Sequence, residues 1–481
     1  YEPDLSGGGG GGAILVASSG TILITVTGAI RASGGRGAVP NNPAGTDYYS
    51  GGGSGGAIRL VSANLSGTGV VQALPGGGVN PGGFGRVRIE RATNDNSIQV
   101  TPDPSVVSLQ AGTTPLIWLP TDLFTANASS QMKERMPYVV EGPKGPEWTS
   151  RNGAKFGLVN GMGSAGREYV PGIIHRSDRM ASTGLYDDGK KGIRRLTEVD
   201  LRLKDQDRDG VQAEVLYGVL GSSGRLNDPE AALEMLRIYN DWLHDFCSRA
   251  PDRLVGLANL PNYNMEESVA EAMRCAKRGV RGLDIANRPD MTPLWDEHWE
   301  PLWKFGHETG IPLHFHTIGG RSPDVTKFPA HVQRRIFAVH ITGFQMHMST
   351  MLMGLIFSGA PERYPNLKIV IGEAGLGWIP YVLQHMDLEW EDQFKDLDLK
   401  MKPSEYWHRQ FYATYQTDPV GIELLKHLGE DNVMWGSDFP HPDGIWPDSQ
   451  QFLTEELTGV PAEVRRKIVR DNAMKLYRLN A

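Results

Sequence analysis

The stretch VRGLDIANRPDMTPLWDEHWEPLWKFGHETGIPLHFHT, residues 280–317, decides how most of the chain folds. Two short apolar runs, VRGLDIAN and PLHFHT, flank a longer segment with the pattern of a helix. This order predicts a strand, a helix and a second strand. Because apolar strands that alternate with helices form parallel sheets covered by helices, the stretch predicts one βα unit of a larger parallel sheet.

The same alternation runs from about residue 195 to the end of the chain. Seven apolar runs after residue 210 predict strands, with helical segments between most of them. The predicted strands are 211–218, 254–261, 280–287, 312–317, 367–375, 410–416 and 432–438. With one earlier candidate strand, they predict an α/β fold of the (β/α)8 TIM-barrel class. An open doubly wound sheet is the alternative, but no glycine fingerprint follows the first strand.

The first hundred residues have a different composition from the rest. They hold 25 of the 59 glycines, and similar runs begin at Gly11 and Gly55, with a shorter echo at Gly82. Short β-branched runs between glycine clusters predict a β-solenoid or β-sandwich-like segment. A flexible Gly-rich leader is the alternative. The repeats resemble Gly-rich β repeats of bacterial surface proteins, which implies a surface-protein origin for this segment.

The composition break predicts two domains. The Gly-rich β repeat segment spans residues 1–110, and the barrel spans residues 111–481. The barrel carries an insertion at residues 140–200, after its first strand and therefore on the side of the strand ends. Long loops on that side often act as lids, so we expect this insertion to be one.

Charge, cysteine content and hydropathy exclude several classes of protein. The net charge of −8 leaves no basic surface for nucleic acid. The two cysteines, Cys247 and Cys275, provide neither a disulfide framework nor a zinc ribbon. No apolar run reaches the roughly 18 residues of a membrane span. We expect no nucleic-acid or membrane partner, and a cytoplasmic location for the barrel.

Polar residues suited to chemistry follow the predicted strands at the ends where the catalytic groups of a TIM barrel lie. In chain order they are Asn259, Asp284, His314, His316, Glu373, Asp438 and His441. Neutral imidazole and carboxylate groups are the ligands that Zn²⁺ and similar divalent ions prefer. The pattern therefore predicts a divalent metal site, where the ion activates water or polarises a carboxylate-bearing substrate.

Each candidate also has an ordinary structural interpretation. His316 lies nearest the rim and is the candidate ligand, whereas His314 faces the same side and supports it or contacts substrate. A hydrogen-bonded structural role is the alternative for His316. Asp438 is a candidate ligand or a helix N-cap, and Glu373 is catalytic or an ion-pair partner of an arginine. His441 is catalytic or anchors its loop.

Three segments together resemble the amidohydrolase superfamily. They are PLWDEHWEPLWKFGHETGIPLHFHTIGG, LIFSGAPERYPNLKIVIGEAGLGWIPYVLQHMD and NVMWGSDFPHPDGIWPDS. The likeness is to the amidohydrolase-related branch typified by aminocarboxymuconate-semialdehyde decarboxylase, and it spans roughly residues 120–481. It implies a barrel with a divalent metal, zinc or alternatively manganese. It also implies hydrolysis or non-oxidative decarboxylation of a small carboxylated or cyclic organic acid.

The resemblance also implies roles for individual residues. His316 matches the metal histidine after strand 5, and Asp438 matches the metal-bound aspartate after strand 8, which also handles protons. Glu373 stands where many members carry a catalytic histidine, in a context that indicates a subgroup with glutamate there. The resemblance is the only basis for expecting a homodimer.

The chain departs from the family pattern at strand 1. Members carry His-x-His, Glu-x-His or Asp-x-His-x-x-Glu-Pro there, whereas TTPLIWLPTDLF (113–124) has Leu116 and Leu119 in place of the expected His and Glu. PLIWL can pair as a strand but cannot bind a metal. Impaired activity is therefore expected. A non-catalytic degraded barrel on a Gly-rich structural or adhesive module, and a metal-independent acid–base enzyme, are the alternatives.

Substrate contacts are the least constrained part of the prediction. Arg167, in the insertion, is a candidate clamp for a substrate carboxylate, although a solvated surface arginine is the ordinary interpretation. Trp378 is a candidate for the aromatic mouth of the site, as are Trp295, Trp299 and Trp446. Core packing is the ordinary interpretation for most of these tryptophans.

Overall fold

The structure is a computed structural model of the 481-residue chain, and it divides into two compact units, residues 1–110 and 111–481. The residues that it describes are 13–24, 29–31, 57–67, 70–72, 86–91, 99–101, 105–106, 118–162, 166–219, 222–287, 291–317, 325–442 and 444–479. The assignment of these two units as domains stays a prediction, and so does the role of residues 140–200 as a lid.

The first unit contains two sheets of parallel strands. The strands are β1 (Ala13–Ile24), β2 (Ala29–Arg31), β3 (Ala57–Gly67), β4 (Val70–Gln72), β5 (Arg86–Arg91), β6 (Gln99–Thr101) and β7 (Ser105–Val106). One sheet has the order β1-β3-β5-β7 and the other has the order β2-β4-β6. Ala13 pairs with Ala57, and Ala57 with Arg86, so equivalent positions of successive Gly-rich repeats are neighbours. The class of the whole segment stays a prediction, because most of its loops lie outside the described residues.

The second unit is built around parallel strands that follow one another in chain order. They are β11 (Glu214–Leu216), β12 (Leu254–Gly256), β13 (Ala258–Asn259), β14 (Leu283–Asn287), β15 (Leu313–Thr317), β16 (Ile369–Gly372), β17 (Phe411–Tyr415) and β18 (Val433–Trp435). Strands β12 and β13 form one interrupted strand. Leu257 lies between them and continues the pairing with the neighbouring strand, because its amide donates to the carbonyl of Leu216 at 3.1 Å. All seven predicted strands are therefore present.

Strand order separates the two predicted architectures. Each strand from β11 to β18 pairs with its neighbour in the chain, always in parallel. A doubly wound sheet reverses its order at a switch point, whereas a barrel wall runs sequentially. The structure thus has the barrel-type order. The predicted first strand falls largely on residues 111–117, outside the described residues, and Trp118 to Pro120 form a turn.

Helices cover the outside of this sheet and alternate with its strands. The helices are α1 (Leu123–Asn127), α2 (His175–Ser182), α3 (Leu185–Lys190), α4 (Val199–Asp209), α5 (Pro229–Ser248), α6 (Met265–Lys277), α7 (Glu300–Thr309), α8 (Ala330–Gly343), α9 (Met348–Phe357), α10 (Ala360–Arg363), α11 (Ile379–Gln393), α12 (Pro403–Gln410), α13 (Pro419–Glu423), α14 (Leu425–Leu428), α15 (Ser449–Glu456), α16 (Ala462–Arg466) and α17 (Asn472–Tyr477). Apolar faces of these helices pack on buried strand residues such as Leu283, Leu313 and Ile369, which form one core.

The insertion forms a small antiparallel sheet followed by three helices. Its strands are β8 (Tyr138–Gly142), β9 (Gly145–Thr149) and β10 (Lys155–Leu158), in the order β10-β9-β8. Helices α2 to α4 contact the loop after β18. Arg179 pairs with Asp448, and Asp209 accepts hydrogen bonds from the amide and hydroxyl of Ser449 at 2.8 and 2.5 Å. The insertion and the loop that carries His441 therefore pack together.

Candidate metal centre

Three strand ends bring four of the predicted residues into one cluster. His316 ends β15, Glu373 follows β16, and Asp438 and His441 follow β18. The Nε2 atom of His316 lies 2.6 Å from Oε2 of Glu373. The Nδ1 atom of His441 lies 3.1 Å from Oε1 of Glu373 and 3.1 Å from Oδ1 of Asp438. We call these four residues the rim cluster.

Two residues of the rim cluster have unusual backbone conformations. Glu373 has φ 54° and Asp438 has φ 58°, in the left-handed region that non-glycine residues rarely adopt. Local hydrogen bonds hold both turns, since the amide of Glu373 donates to Oγ1 of Thr414 at 2.8 Å and the amide of His441 donates to the carbonyl of Asp438 at 2.8 Å. Such conformations concentrate at functional sites, where the surrounding structure holds them in place.

Mutual attraction dominates the electrostatics of the rim cluster. Burial opposes the charged form of Glu373, but the imidazoles of His441 and His316 outweigh it, so the pKa of Glu373 is lowered. Burial likewise opposes the imidazolium of His441, yet Asp438 and Glu373 raise its pKa well above the usual value. The pKa of His316 is raised for the same reason by Glu373. The imidazole and carboxylate groups of the rim cluster therefore stabilise each other's charged forms.

A second polar group lies one layer deeper in the barrel. It consists of Tyr217, Asn259, Asp284, His314 and Tyr477, which we call the lower layer. The two tyrosine hydroxyls contact the two ring nitrogens of His314, at 2.9 Å from Nδ1 and 3.3 Å from Nε2. The side-chain amide of Asn259 donates to Oδ2 of Asp284 at 3.1 Å. His314 is thus a supporting residue held between hydroxyls.

Burial favours the neutral forms in the lower layer. Burial raises the pKa of Asp284 to about 6, and it lowers the pKa of His314 to about 3, with help from the charge of His316. Among the described residues, Asp284 has neither a lysine nor an arginine partner, and its Oδ1 has no hydrogen-bond partner. The capping or ion-pair role that is ordinary for an aspartate at a strand end does not apply to it.

The two layers touch through Tyr217. Its ring packs edge-on against His316, with 4.7 Å between ring centroids, while its hydroxyl contacts His314. Gly372 leaves the space for this ring, because a Cβ atom there would lie 2.6 Å from the tyrosine hydroxyl. Tyr217 therefore holds the last histidine of β15 against the mouth of the barrel.

A cavity of about 530 Å³ opens beside the rim cluster. Its polar end comes from the rim cluster, whereas helices α5, α15 and α17 contribute to its apolar walls. Its lining includes His316, Glu373, Asp438, His441, Tyr217, Thr414, Trp435, Phe439, Arg202 and Leu119. Cavities of roughly 300–1,000 Å³ with a few convergent polar groups are typical small-molecule sites.

Some predicted residues lie away from this cavity. Arg167 is exposed, and its guanidinium lies 5.3 Å from the ring centroid of Phe337. Trp378 donates to the carbonyl of Ala374 at 2.7 Å and packs on the core. Neither residue lines the cavity described above, so a substrate contact by either stays a prediction.

Three lining residues are not predicted by charged side chains at strand ends. Tyr217 follows β11, Thr414 lies within β17, and Trp435 ends β18. Their positions at strand ends were the available signal, since the C-terminal ends of barrel strands meet at one face. Side-chain charge alone was too narrow a criterion.

The donor set of the rim cluster fits a divalent ion. Glu373, Asp438 and His441 each offer one ligand atom, and these three atoms lie within 4.8 Å of one another. His316 contacts the same glutamate. Imidazole nitrogen and carboxylate oxygen are ligands of zinc and manganese alike, so the residues do not discriminate between these two metals.

The amidohydrolase family (Amidohydro_2) matches residues 195–479, which is more than half of the chain. The chain belongs to the amidohydrolase family. The family match and the barrel-type strand order confirm the predicted α/β fold of amidohydrolase type. They also confirm that the barrel belongs to an enzyme of the amidohydrolase superfamily, of the hydrolase or carboxy-lyase kind.

Curated relatives extend the comparison to decarboxylases. The gamma-resorcylate decarboxylase of Polaromonas sp. strain JS666 is 26% identical over 295 residues, which cover 58% of this chain and 87% of that protein. The 2-amino-3-carboxymuconate-6-semialdehyde decarboxylase of Dictyostelium discoideum is 24% identical over 286 residues, which cover 58% of this chain and 77% of that protein.

Solved structures share the fold of this chain. The 5-carboxyvanillate decarboxylase of Sphingomonas paucimobilis is 26% identical, with a TM-score of 0.50, and the match covers 60% of this chain and 85% of that one. A 5-carboxyvanillate decarboxylase of Novosphingobium aromaticivorans, solved with bound manganese, is 22% identical with a TM-score of 0.51. That match covers 64% of this chain and 94% of the other.

No helix among the described residues is long and apolar enough to cross a membrane.

Proposed function

We propose that this chain is a metal-dependent, non-oxidative decarboxylase of small aromatic carboxylic acids. The observation that carries the proposal is the rim cluster, in which two imidazoles and two carboxylates converge at the wall of a 530 Å³ cavity. The names of the relatives support decarboxylation over hydrolysis, which is the alternative within the family.

We assign His316, Glu373 and Asp438 to the metal and His441 to proton transfer. The first three offer one imidazole and two carboxylates, a donor set that suits a divalent ion. Manganese is favoured over zinc by the metal found in the relative from Novosphingobium. A divalent ion bound here would polarise the carboxylate or hydroxyl groups of the substrate.

The protein residues supply the proton and the orientation. Decarboxylation breaks the bond between a ring carbon and the carboxylate, and a proton must replace the lost CO2 on that carbon. The Nδ1 atom of His441 lies between the carboxylates of Asp438 and Glu373, at 3.1 Å from each. This arrangement holds a proton at the cavity wall and lets Asp438 relay it.

The walls of the cavity suit a flat, aromatic acid. Trp435 ends β18, Phe439 follows it next to Asp438, and Tyr217 follows β11, and all three line the cavity. Aromatic walls bind planar rings through stacked or edge-on contacts. The guanidinium of Arg202 lies 4.8 Å from the ring centroid of Phe439 and pairs with Glu214 at 2.7 Å, so it packs on the wall without adding a net charge to the lining.

The test is to incubate the chain with a panel of hydroxylated benzoic acids and added Mn²⁺ or Zn²⁺. Turnover is measured as release of CO2 and formation of the phenol. We expect turnover of at least one ortho-hydroxylated acid. Amide and ester substrates of amidohydrolase type, run in parallel, test the hydrolase alternative. Hydrolysis of these substrates without CO2 release from any acid would overturn the proposal.

Two histidine variants test the division of labour within the rim cluster. His316→Gln should lose the bound ion, whereas His441→Gln should keep the ion and lose turnover. The alternative assignment makes His441 a ligand of the ion, because the ligand atoms of Glu373, Asp438 and His441 also lie close together. In that case the two variants would show the reverse pattern of metal content.

The lost strand-1 ligands predict weak metal binding. Leu116 lies outside the described residues, but Leu119 is buried and lines the cavity, where it offers no ligand atom. We propose that the ion is held by fewer protein ligands than in relatives with an intact strand 1, so that chelators remove it easily. A metal titration that reveals tight, chelator-resistant binding would contradict this proposal. A folded protein without ion or turnover would favour the non-catalytic alternative.

For the first unit we propose a β-solenoid. Parallel pairing between equivalent positions of successive repeats supports this over a sandwich of antiparallel sheets. A fragment spanning residues 1–110 should show β-type circular dichroism. Its spectrum would instead be that of an unordered chain if the segment were only a flexible leader.

A further inference from the structure

The loop after β18 carries two members of the rim cluster. It spans residues 436–448, between β18 and α15, and we call it the β18 loop. The amide of Ile445 donates to the carbonyl of Ser437 at 3.0 Å, which closes the loop at its base. Asp438 and His441 lie within the closed part. Their positions at the cavity wall therefore depend on what holds the base of the β18 loop.

Two aromatic side chains of the β18 loop pack on each other. The rings of Phe439 and Trp446 lie 4.4 Å apart between centroids, and we call them the aromatic pair. Trp446 is buried, and its indole nitrogen donates to the carbonyl of Asp205 in α4 at 3.3 Å. Phe439 directly follows Asp438 in the chain. A displacement of the aromatic pair would therefore displace Asp438.

Two arginines of the insertion lie against the aromatic pair, one on each ring. The guanidinium of Arg202 lies 4.8 Å from the centroid of Phe439, and that of Arg195 lies 5.8 Å from the centroid of Trp446. The two arginines expose only 6% and 5% of their surfaces. A cation within about 6 Å of a ring centroid is attracted to the ring, more strongly where water is excluded. Burial therefore strengthens both contacts.

Each arginine is fixed by a carboxylate. The Nε atom of Arg202 donates to Oε2 of Glu214 at 2.7 Å, and that oxygen also accepts from the side-chain amide of Gln206 at 2.8 Å. The Nε atom of Arg195 donates to Oδ2 of Asp205 at 2.9 Å. A guanidinium is planar, so it can pair with a carboxylate through its edge while its face lies on a ring. The paired arginines are thus built to hold rings.

We propose that Arg202 and Arg195 are positioning residues that clamp the aromatic pair. The clamp holds Asp438 and His441 at the wall of the cavity, although neither arginine contacts a reacting atom. This inference rests on the proposed function, because proton transfer needs both side chains in one fixed geometry. A displacement of reacting groups by about 1 Å can cost on the order of 100-fold in rate. Arg202 has the more direct effect, since its ring adjoins Asp438 in the chain.

Hydrogen exchange of the full chain, followed by mass spectrometry, tests the clamp without reference to activity. Arg202→Met with Glu214→Gln removes the guanidinium and leaves no unpaired buried carboxylate. We call this double change the clamp variant. The amides of His441 and Ile445 should exchange about tenfold faster in it than in the natural chain, because the β18 loop opens more often. Unchanged exchange in a folded clamp variant would overturn the proposal.

Two further variants keep this test specific. Arg253→Met with Asp207→Asn is the matched control, because it removes a 2.7 Å ion pair of the same helix α4. Among the described residues, no hydrogen bond or ion pair joins either side chain to the β18 loop. The control should exchange like the natural chain. Phe439→Leu keeps every charge and removes only a ring, so its β18 loop should also exchange faster, and it decides the question if the clamp variant does not fold. Equal acceleration in the control would overturn the proposal.

Turnover separates a positioning role from a merely structural one. Per folded chain, the clamp variant should lose about tenfold in kcat while KM changes by less than about threefold, because the rings that line the cavity remain. Circular dichroism gives the folded fraction. Faster exchange with an unchanged kcat would overturn the positioning role. If the natural chain decarboxylates no acid, the proposed function fails, and hydrogen exchange alone then decides whether the clamp holds the β18 loop.

Discussion

The rim cluster and the lower layer contain the same kinds of side chain but differ in every physical property that matters for function. The rim cluster is charged, has two residues in left-handed backbone conformations, and borders the cavity. In the lower layer burial disfavours charge, lowering the pKa of His314 to about 3, and His314 lies between two tyrosine hydroxyls. We propose that the rim cluster acts on a ligand and that the lower layer holds the rim cluster in position.

The difference shows that residue type alone does not identify a catalytic group. His314 and His316 are two residues apart and face the same side of β15, yet only His316 contacts a carboxylate. Depth in the barrel decides between them, because the rim is where a substrate can arrive. Predictions that separate the two layers therefore test the account most usefully.

The largest expected effect comes from Asp438→Asn in the rim cluster. The change removes a charge that the metal site and His441 both need, so kcat/KM should fall by about 10³-fold or more. Asp284→Asn in the lower layer is the matched control, because it alters a buried aspartate that contacts no rim residue through a hydrogen bond. We expect it to retain activity within about tenfold. Equal losses in the two variants would erase the distinction between the layers.

Gly372→Ala breaks the contact between the two layers. The added Cβ would lie 2.6 Å from the hydroxyl of Tyr217 and 2.9 Å from its ring, so the tyrosine must move. Overpacking of this kind costs about 1–3 kcal/mol of stability. Chemical denaturation measures this cost, and a drop in kcat should accompany it because Tyr217 supports His316. Unchanged stability would show that the space beside Gly372 is larger than described.

Tyr217→Phe should affect stability more than chemistry. The variant keeps the ring that packs on His316 but leaves the Nδ1 atom of buried His314 without its hydroxyl partner. Loss of a buried hydrogen-bond partner costs about 1–3 kcal/mol. Thermal unfolding should show this loss, while kcat changes by less than about tenfold. A much larger fall in kcat would mean that the hydroxyl acts on substrate.

The smallest effect concerns a buried carboxylate outside both layers. Burial raises the pKa of Asp209 to about 6, against the hydrogen bonds from Ser449. Because the folded state binds the proton more tightly, this group stabilises the protein below pH 4 and loses that contribution as the pH rises through 6. Between pH 5 and pH 7.5, the natural chain should lose about 1–2 kcal/mol relative to Asp209→Asn. The same difference in free energy of unfolding between the two proteins at both pH values would contradict this expectation.

The sequence was most informative where a periodic pattern and a chemical pattern coincided. All seven strands after residue 210 were predicted, because short branched apolar runs that alternate with longer amphipathic segments are typical of a parallel sheet covered by helices. His316, Glu373, Asp438 and His441 were found because each follows such a run. Their meeting at one face needed only the rule that parallel strands end together.

Other features depend on distances that no sequence pattern encodes. The role of Tyr217 arises from a ring that fills the space left by Gly372, and that contact joins two strands far apart in the chain. The raised pKa of Asp284 depends on its burial rather than on neighbours in sequence. The contact between Arg202 and Phe439 is also invisible in the sequence, because it joins the insertion to the β18 loop.

The most direct test of the account is metal content at equilibrium, measured by plasma mass spectrometry on the full chain dialysed against a fixed concentration of Mn²⁺ or Zn²⁺, with the free ion of the outer chamber subtracted. Asp438→Ala and Asp284→Asn serve as the rim and lower-layer variants. The account predicts about one ion per natural chain and per Asp284→Asn chain, and little or none in Asp438→Ala. Equal metal content in all three proteins, or no ion in any of them, would contradict the assignment of the rim cluster as a metal centre.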